Sequence, residues 1–378
     1  MKHNRCSIET FFLLVRVGLF GRTEDTKHLL QGDVDWAAIY QLAKEQGVVG
    51  LVADGVETLQ CEKYGINISQ LVPREWVLRF AATTLRTEQR NLAMNTFVAN
   101  LIVWMRKRGI NAFLLKGQGV AQCYDKPLRR SCGDVDLLLN DENYQKAKDY
   151  LLPFASSSAA ENEYKKHLGM TINGWMIELH GCLRCGFSAR IDKELDKVFR
   201  DTQYGDNART WTYKNVQIPL LEREHDVLYV FIHFLNHFYK GGVGIKQICD
   251  WCRQLWTFRD SLDIVILETW LEKTGLMDEW RAFGMLSVEY LGMPKSAMPF
   301  YSDAEKWRRK ARRILQFILK TGNMGSNRRE DKSDDSYWAR KTNSLGQRIC
   351  DLANHLTIFP MDTLRFTPSI LLNGLRQK

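Results

Sequence analysis

Two aspartates one residue apart, Asp134 and Asp136, stand at the start of the apolar run DVDLLL. The run reads as a β-strand, and a strand of period two turns residues i and i+2 to the same face. Both carboxylates therefore project together, which is repulsive unless something cationic sits between them. The obvious cation is Mg²⁺, which takes oxygen ligands and usually keeps a nucleotide phosphate in its shell. The run closes a longer stretch, FLLKGQGVAQCYDKPLRRSCGDVDLLL, 113–139. It reads as an apolar strand, a Lys116-Gly117 turn, a short helix, a basic loop and the aspartate-bearing strand.

Further along, KHLGMTINGWMIELHGCL reads as a β-hairpin, because Asn173-Gly174 between alternating runs is a strong two-residue turn signal. In its second strand Trp175, Ile177 and Leu179 share one face, and Met176, Glu178 and His180 share the other. If the hairpin lies beside the aspartate strand, Glu178 completes a three-carboxylate cluster. Such a cluster suits two metal ions about 3.5–4 Å apart, which clamp the attacking and leaving oxygens of an in-line phosphoryl displacement. Nucleotidyl transfer needs that clamp, since negative charge builds on the α-phosphate and the departing pyrophosphate. In this reading Asp136 bridges both metals and Asp134 holds the one on the triphosphate. Glu178 holds the second and accepts the proton of the attacking hydroxyl.

The stretch LLKGQGVAQCYDKPLRRSCGDVDLLL resembles the signature of the uncharacterised nucleotidyltransferase family within the DNA polymerase β-like superfamily. That signature is a Lys-Gly turn, an Arg-x-x-Gly-Asp-x-Asp-Leu-Leu strand and a later acid beside Leu-His. Here those positions are Lys116, Gly117, Arg130, Gly133, Asp134, Asp136, Glu178 and His180. The likeness is close over about 70 residues. It implies an α+β protein with a small mixed-sheet core backed by helices, using Mg²⁺ (or Mn²⁺) and a nucleoside triphosphate. The wider superfamily usually has Gly-Ser or Gly-Gly at the turn, where this chain has Gly117-Gln118, and its gap from turn to first aspartate is shorter. Gly117 would let backbone N–H groups reach a phosphate, and Lys116 and Arg130 would add charge on the triphosphate. For both cations the alternative is an ordinary surface charge.

The remaining chain frames this core. Its 378 residues exceed one ordinary domain. The pattern gives an N-terminal helical domain (1–105), an α/β core (106–220) and a C-terminal helical domain with a basic region (221–378). A hydrophobic content of 45% and 11 tryptophans can fill real cores, which excludes general disorder. The N-terminal part carries helical spacing in WAAIYQLAKEQGVVGLVADGVETL, broken near Gly47 and Gly50. A long helix follows over Arg74–Arg108, with Trp76, Leu78, Leu85, Leu92, Phe97, Leu101 and Trp104 available for burial. The segment FFLLVRVGLF, 11–20, is too short to span a membrane and is interrupted by Arg16. A cytoplasmic protein with no membrane partner is expected. Nine scattered cysteines argue against a disulfide framework. The pairs Cys182/Cys185 and Cys249/Cys252, with His180 to spare, are either a zinc site or ordinary buried thiols.

Beyond Pro219, EREHDVLYVFIHFLNHFYKGG puts His233, Asn236, His237 and Lys240 on one side of a helix. GIKQICDWCRQLW then aligns Lys246, Asp250 and Arg253. In the resembling family a His-rich helix and an Asp-bearing helix pack on the open face of the core. There His233, Lys246 and Asp250 would line the nucleotide cleft; the alternative is an inter-helix hydrogen-bond network. From Tyr301 onward there are 16 Lys/Arg against 8 Asp/Glu, much of the surplus in KWRRKARR, 306–313. This is either a patch for a phosphate-rich partner such as nucleic acid or a solvated helix face. Residues 321–336 read as an exposed loop or a partly disordered linker, and ILLNGL as a terminal docking helix.

Two function classes follow. One is a metal-dependent enzyme moving a nucleoside monophosphate from a triphosphate to an acceptor hydroxyl on a small molecule or saccharide, a protein or an RNA. The other is a catalytically silent module of the same fold that binds nucleic acid or a protein through its basic C-terminal region. The three like charges favour the enzyme, because a binding module has no need to keep them together.

Overall fold

The computed structural model describes residues 4–22, 34–59, 72–204, 208–327 and 337–376. At its centre is a seven-stranded mixed sheet. Its strands are β1 (Phe113–Leu115), β2 (Asp134–Leu138), β3 (Ser157–Ser158), β4 (His167–Ile172), β5 (Trp175–His180), β6 (Arg209–Tyr213) and β7 (Val216–Leu220). Across the sheet they run β3-β4-β5-β2-β1-β7-β6. β2 is parallel to β5 and antiparallel to β1, and β1 is parallel to β7. The β4–β5 hairpin closes on the Asn173-Gly174 turn, both residues with positive φ, as a two-residue type I′ loop requires. The turn sets the register, pairing Ile172 with Trp175 and His167 with His180.

Helices flank the sheet on both sides in sequence. Before it come α1 (Arg5–Phe20), α2 (Trp36–Glu45), α3 (Val49–Leu59) and α4 (Arg74–Arg106); within it, α5 (Gly117–Ala121), α6 (Asp141–Leu151) and α7 (Ala189–Tyr204). After it follow α8 (Arg223–Lys240), α9 (Ile245–Phe258), α10 (Ile264–Thr274), α11 (Met277–Leu291), α12 (Glu305–Thr321), α13 (Tyr337–Ile358) and α14 (Pro360–Arg376). The protein is thus α+β, a mixed-sheet core flanked by helices. Among the described residues no helix is long and apolar enough to cross a membrane.

Two apolar clusters hold these layers. One joins α4 to the sheet and α6 through Val98, Ile102, Leu114, Val135, Leu137, Ile177 and Leu179. The other brings α1–α3 together with α8–α12, and Arg16 of α1 donates to the carbonyls of Glu289 and Tyr290 in α11. Glycines allow the tightest crossings. A Cβ on Gly18 would lie 2.1 Å from the Leu51 carbonyl oxygen, and one on Gly55 2.2 Å from that of Leu14. The break in the N-terminal pattern falls at Gly47, with φ +70°, whereas Gly50 lies inside α3.

Three expectations differ from the structure. Leu78, Leu85 and Leu92 are exposed, because α4 turns its Phe80, Thr84, Asn91, Met94 and Val98 face inward, one step round the helix. Leu101 is buried, and Trp76, Phe97 and Trp104 are half-buried. The start of the expected 321–336 loop is a tight turn packed on the protein: Gln247 donates to Asn323 Oδ1 at 2.8 Å. Residues 328–336 and the ILLNGL side chains lie outside the described residues. Last, the cations of 306–313 are partly engaged within the chain. Arg308 pairs with Glu289, Lys306 lies 4.4 Å over the Trp307 ring, Lys310 lies 4.4 Å over Phe359, and Arg313 donates to the Thr357 carbonyl.

Candidate active site

The parallel pairing of β2 with β5 sets Asp136 directly beside Glu178, while Asp134 pairs with Met176. Alternation along each strand turns Asp134, Asp136 and Glu178 to one face. Their nearest carboxylate oxygens all lie within 4.8 Å of one another. They line a cleft of about 250 Å³ together with Lys116, Gly117, Arg130, His233, His237, Lys246, Asp250 and Asn323. The nine residues to which the sequence reading gives a catalytic or nucleotide-binding role all line this cleft, whereas His180, hydrogen-bonded to Asp136, is not in its lining.

Like charges this close need a counter-charge, and Lys116 supplies one. Its ammonium lies 2.9 Å from Asp136 Oδ1. His180 Nε2 donates to the same oxygen at 2.9 Å. Burial alone pushes the Asp136 carboxyl up, but Lys116 and the His180 hydrogen bond outweigh it and hold the group below the usual carboxylate range. Asp134 goes the other way, raised first by the charge of Asp136 and then by burial. Asp136 Oδ2 is buried with no hydrogen-bond partner among the described residues. A buried, unpartnered oxygen on a carboxylate grouped with two further carboxylates is a cation ligand in waiting, so the residues present fit a divalent metal.

The Lys116-Gly117 turn is strained to bring this about. Lys116 has φ +46° and Gly117 φ +41°. A Cβ on Gly117 would approach Cys132 Sγ at 3.3 Å. Behind the turn, Gln118 Nε2 donates to Asn91 Oδ1 at 2.9 Å, and Asn91 Nδ2 donates to the Leu128 and Arg130 carbonyls, both at 2.7 Å. Gln118 thus ties the turn, through Asn91, to α4 and to the loop that carries Arg130. Asn91 was missed from the sequence. Its only signal there is a buried-side amide inside a long helix.

The cations differ in kind. Arg130 is buried and donates through Nε and Nη2 to the two oxygens of Asp250, both at 2.7 Å; Tyr124 donates to Asp250 Oδ1 at 2.7 Å. The pair is close to neutral and walls the cleft. Lys246 donates to the Ser131 carbonyl at 3.1 Å, and burial followed by the nearby Arg130 lowers its pKa. His233 Nε2 lies 3.3 Å from Lys116 Nζ. An ammonium has only donors, so this nitrogen accepts, and His237 Nε2, 3.0 Å away, donates to it. Burial and Lys116 hold His233 well below the usual imidazole range and His237 down to about 4. Both rings are therefore neutral at pH 7.

Cys182, Cys185, Cys249 and Cys252 are buried free thiols. Among the described residues the groupings with metal-ligand spacing are Asp134–Asp136–Glu178 and His167–Glu178–His180, without a cysteine. His167 was also missed, although counting back from the Asn173-Gly174 turn places it opposite His180.

A mixed sheet whose central strands carry three carboxylates to the mouth of a cleft, under a Lys-Gly turn, is a nucleotidyltransferase core. The chain belongs to the uncharacterised nucleotidyltransferase family, whose model matches residues 32–292. Comparison with the curated proteins and with the solved structures gave no match.

Proposed function

We propose that this protein is a metal-dependent nucleotidyltransferase that moves a nucleoside monophosphate from a nucleoside triphosphate to an acceptor hydroxyl. The observation that carries the reading is the convergence of Asp134, Asp136 and Glu178 on one cleft, with Asp136 Oδ2 buried and unpartnered among the described residues. These three carboxylates would hold Mg²⁺ or Mn²⁺. When bound, such ions neutralise the charge that builds on the α-phosphate and the leaving pyrophosphate.

The protein groups divide the remaining work. Lys116 and Lys246, both on the cleft, would offer ammonium groups to phosphate oxygens. The Arg130–Asp250 pair keeps the wall beside Lys246 rigid and nearly neutral. His233, uncharged and accepting from Lys116, fixes the direction of that ammonium. Glu178, whose side chain is more exposed than that of Asp136, would take the proton of an arriving hydroxyl. A cleft of about 250 Å³ lies below the roughly 300–1,000 Å³ of pockets that enclose a whole small ligand. It suits a triphosphate whose base and sugar project toward solvent. A cytoplasmic setting is in keeping with the cysteines of the described residues, which are free thiols.

The test uses nucleoside triphosphates labelled on the α- or the γ-phosphate, incubated with the full chain, Mg²⁺ or Mn²⁺ and lysate fractions. Transfer of the α-label with release of pyrophosphate, abolished in Asp134→Ala and Asp136→Ala, is expected. Transfer of the γ-label instead, or equal α-transfer by wild type and both variants, refutes the assignment.

A further inference from the structure

We propose that the β4–β5 hairpin carries a second, nitrogen-rich metal site, formed by His167, Glu178 and His180, that takes a transition-metal divalent ion in preference to Mg²⁺. The site stands on the hairpin geometry. It depends on the proposed function only in that Glu178 is shared with the acidic cluster.

The two-residue turn fixes the register that creates the site. His167 pairs across the ladder with His180, and Glu178 stands two residues from His180 on the same face. The imidazole centroids are 4.8 Å apart. His167 Nε2 lies 3.1 Å and His180 Nε2 3.7 Å from the same oxygen, Glu178 Oε2. The three ligand atoms all fall within 4.8 Å of one another. Nitrogen and oxygen ligands about 2.0–2.2 Å from a shared ion, at tetrahedral or octahedral angles, stand roughly 2.9–3.5 Å apart. The His167–Glu178 separation falls inside that range and the His180–Glu178 separation just beyond it, so a small rotation of His180 toward Glu178 seats the ion. Asp136 Oδ1, 2.9 Å from His180 Nε2, is the next oxygen in reach.

Ligand chemistry separates this site from its neighbour. The Asp134–Asp136–Glu178 group offers only oxygens, as Mg²⁺ requires. Two imidazoles and one carboxylate instead favour Fe²⁺, Co²⁺ or Zn²⁺. Both Nε2 atoms now face carboxylate oxygens. With an ion bound, each ring carries its proton on Nδ1 and turns the Nε2 lone pair to the metal. The side chains of His167 and Glu178 are 33% and 28% exposed, which leaves the ion a path in and open positions for water or an oxygen ligand.

Co²⁺ is the probe, added alone to the full chain without nucleotide and followed by visible absorbance. One equivalent is expected to bind with the band of nitrogen-ligated Co²⁺, and excess Mg²⁺ should leave the band in place. His167→Gln, with its fold checked by circular dichroism, should weaken binding by more than the roughly 10- to 100-fold that follows from altering a residue that only supports a ligand. Asp134→Asn should keep the band. No band in the wild type, displacement by Mg²⁺, or loss in Asp134→Asn with retention in His167→Gln each overturns the proposal. None of these results depends on whether the α-phosphate label is transferred.

Discussion

Lys116 holds a backbone conformation that side chains rarely adopt, and conformations of this kind cost on the order of 1–3 kcal/mol. Its ammonium compensates by meeting Asp136 and by lying among Asp134, Glu178 and His233. Removing one partner of a buried ion pair leaves the other uncompensated, at a cost of about 3–5 kcal/mol. Lys116→Met is therefore expected to lose stability of that order in urea denaturation, and added Mn²⁺ should restore part of the loss by taking over as counter-charge. A loss that Mn²⁺ does not touch would mean the carboxylates do not share a cation. At this scale the sequence was informative wherever alternation alone decides. Asp134, Asp136 and Glu178 follow from strand period; His167 was overlooked, although counting across the two-residue turn reaches it. Asn91 does not, since its partners are carbonyls about 40 residues away that no local pattern names.

Among the elements, α3 does more for the site than its distance along the chain suggests. A Cβ on Gly50 would lie 2.2 Å from the Arg129 carbonyl oxygen, so α3 touches the backbone of the loop that delivers Arg130. Overpacking of this sort costs typically about 1–3 kcal/mol. Gly50→Ala is expected to lower the urea midpoint accordingly and also to weaken nucleoside triphosphate binding, measured by calorimetry. A stability loss with unchanged nucleotide affinity would show that the loop absorbs the shift without moving Arg130. Gly50 looked like a helix breaker in sequence because close approach and helix breaking leave the same residue. The leucines of α4 were misjudged for a related reason. Leu78, Leu85 and Leu92 repeat every seven residues, but the inward face instead uses Thr84 and Asn91, whose polarity hides them in an apolar count. The β6–β7 hairpin was not recognised at all; its Lys214-Asn215 turn lacks the glycine that marked Asn173-Gly174.

Over the whole molecule, the N-terminal and C-terminal helices share one apolar cluster, which the linear reading of helical flanks could not anticipate. That shared core buries Glu279 completely, and burial, followed by the charge of Asp362, pushes its carboxyl up to about 8. An acid raised in the folded state keeps its proton there while the unfolded chain loses it. Its contribution to stability is full below the unfolded value near 4.5 and is lost as pH climbs through about 8. Glu279→Gln should flatten the decline of stability between those values in a series of urea melts, and a slope unchanged from wild type would contradict the buried, protonated carboxyl. The molecular account as a whole rests on divalent ions held by β2 and β5 at the cleft mouth. Anomalous scattering from crystals of the full chain soaked with Mn²⁺ and a non-hydrolysable nucleoside triphosphate tests this most directly. A peak is expected within about 2.0–2.4 Å of oxygens from Asp134, Asp136 and Glu178, with the triphosphate alongside. Ordered nucleotide in the cleft with no manganese peak on those carboxylates would contradict it.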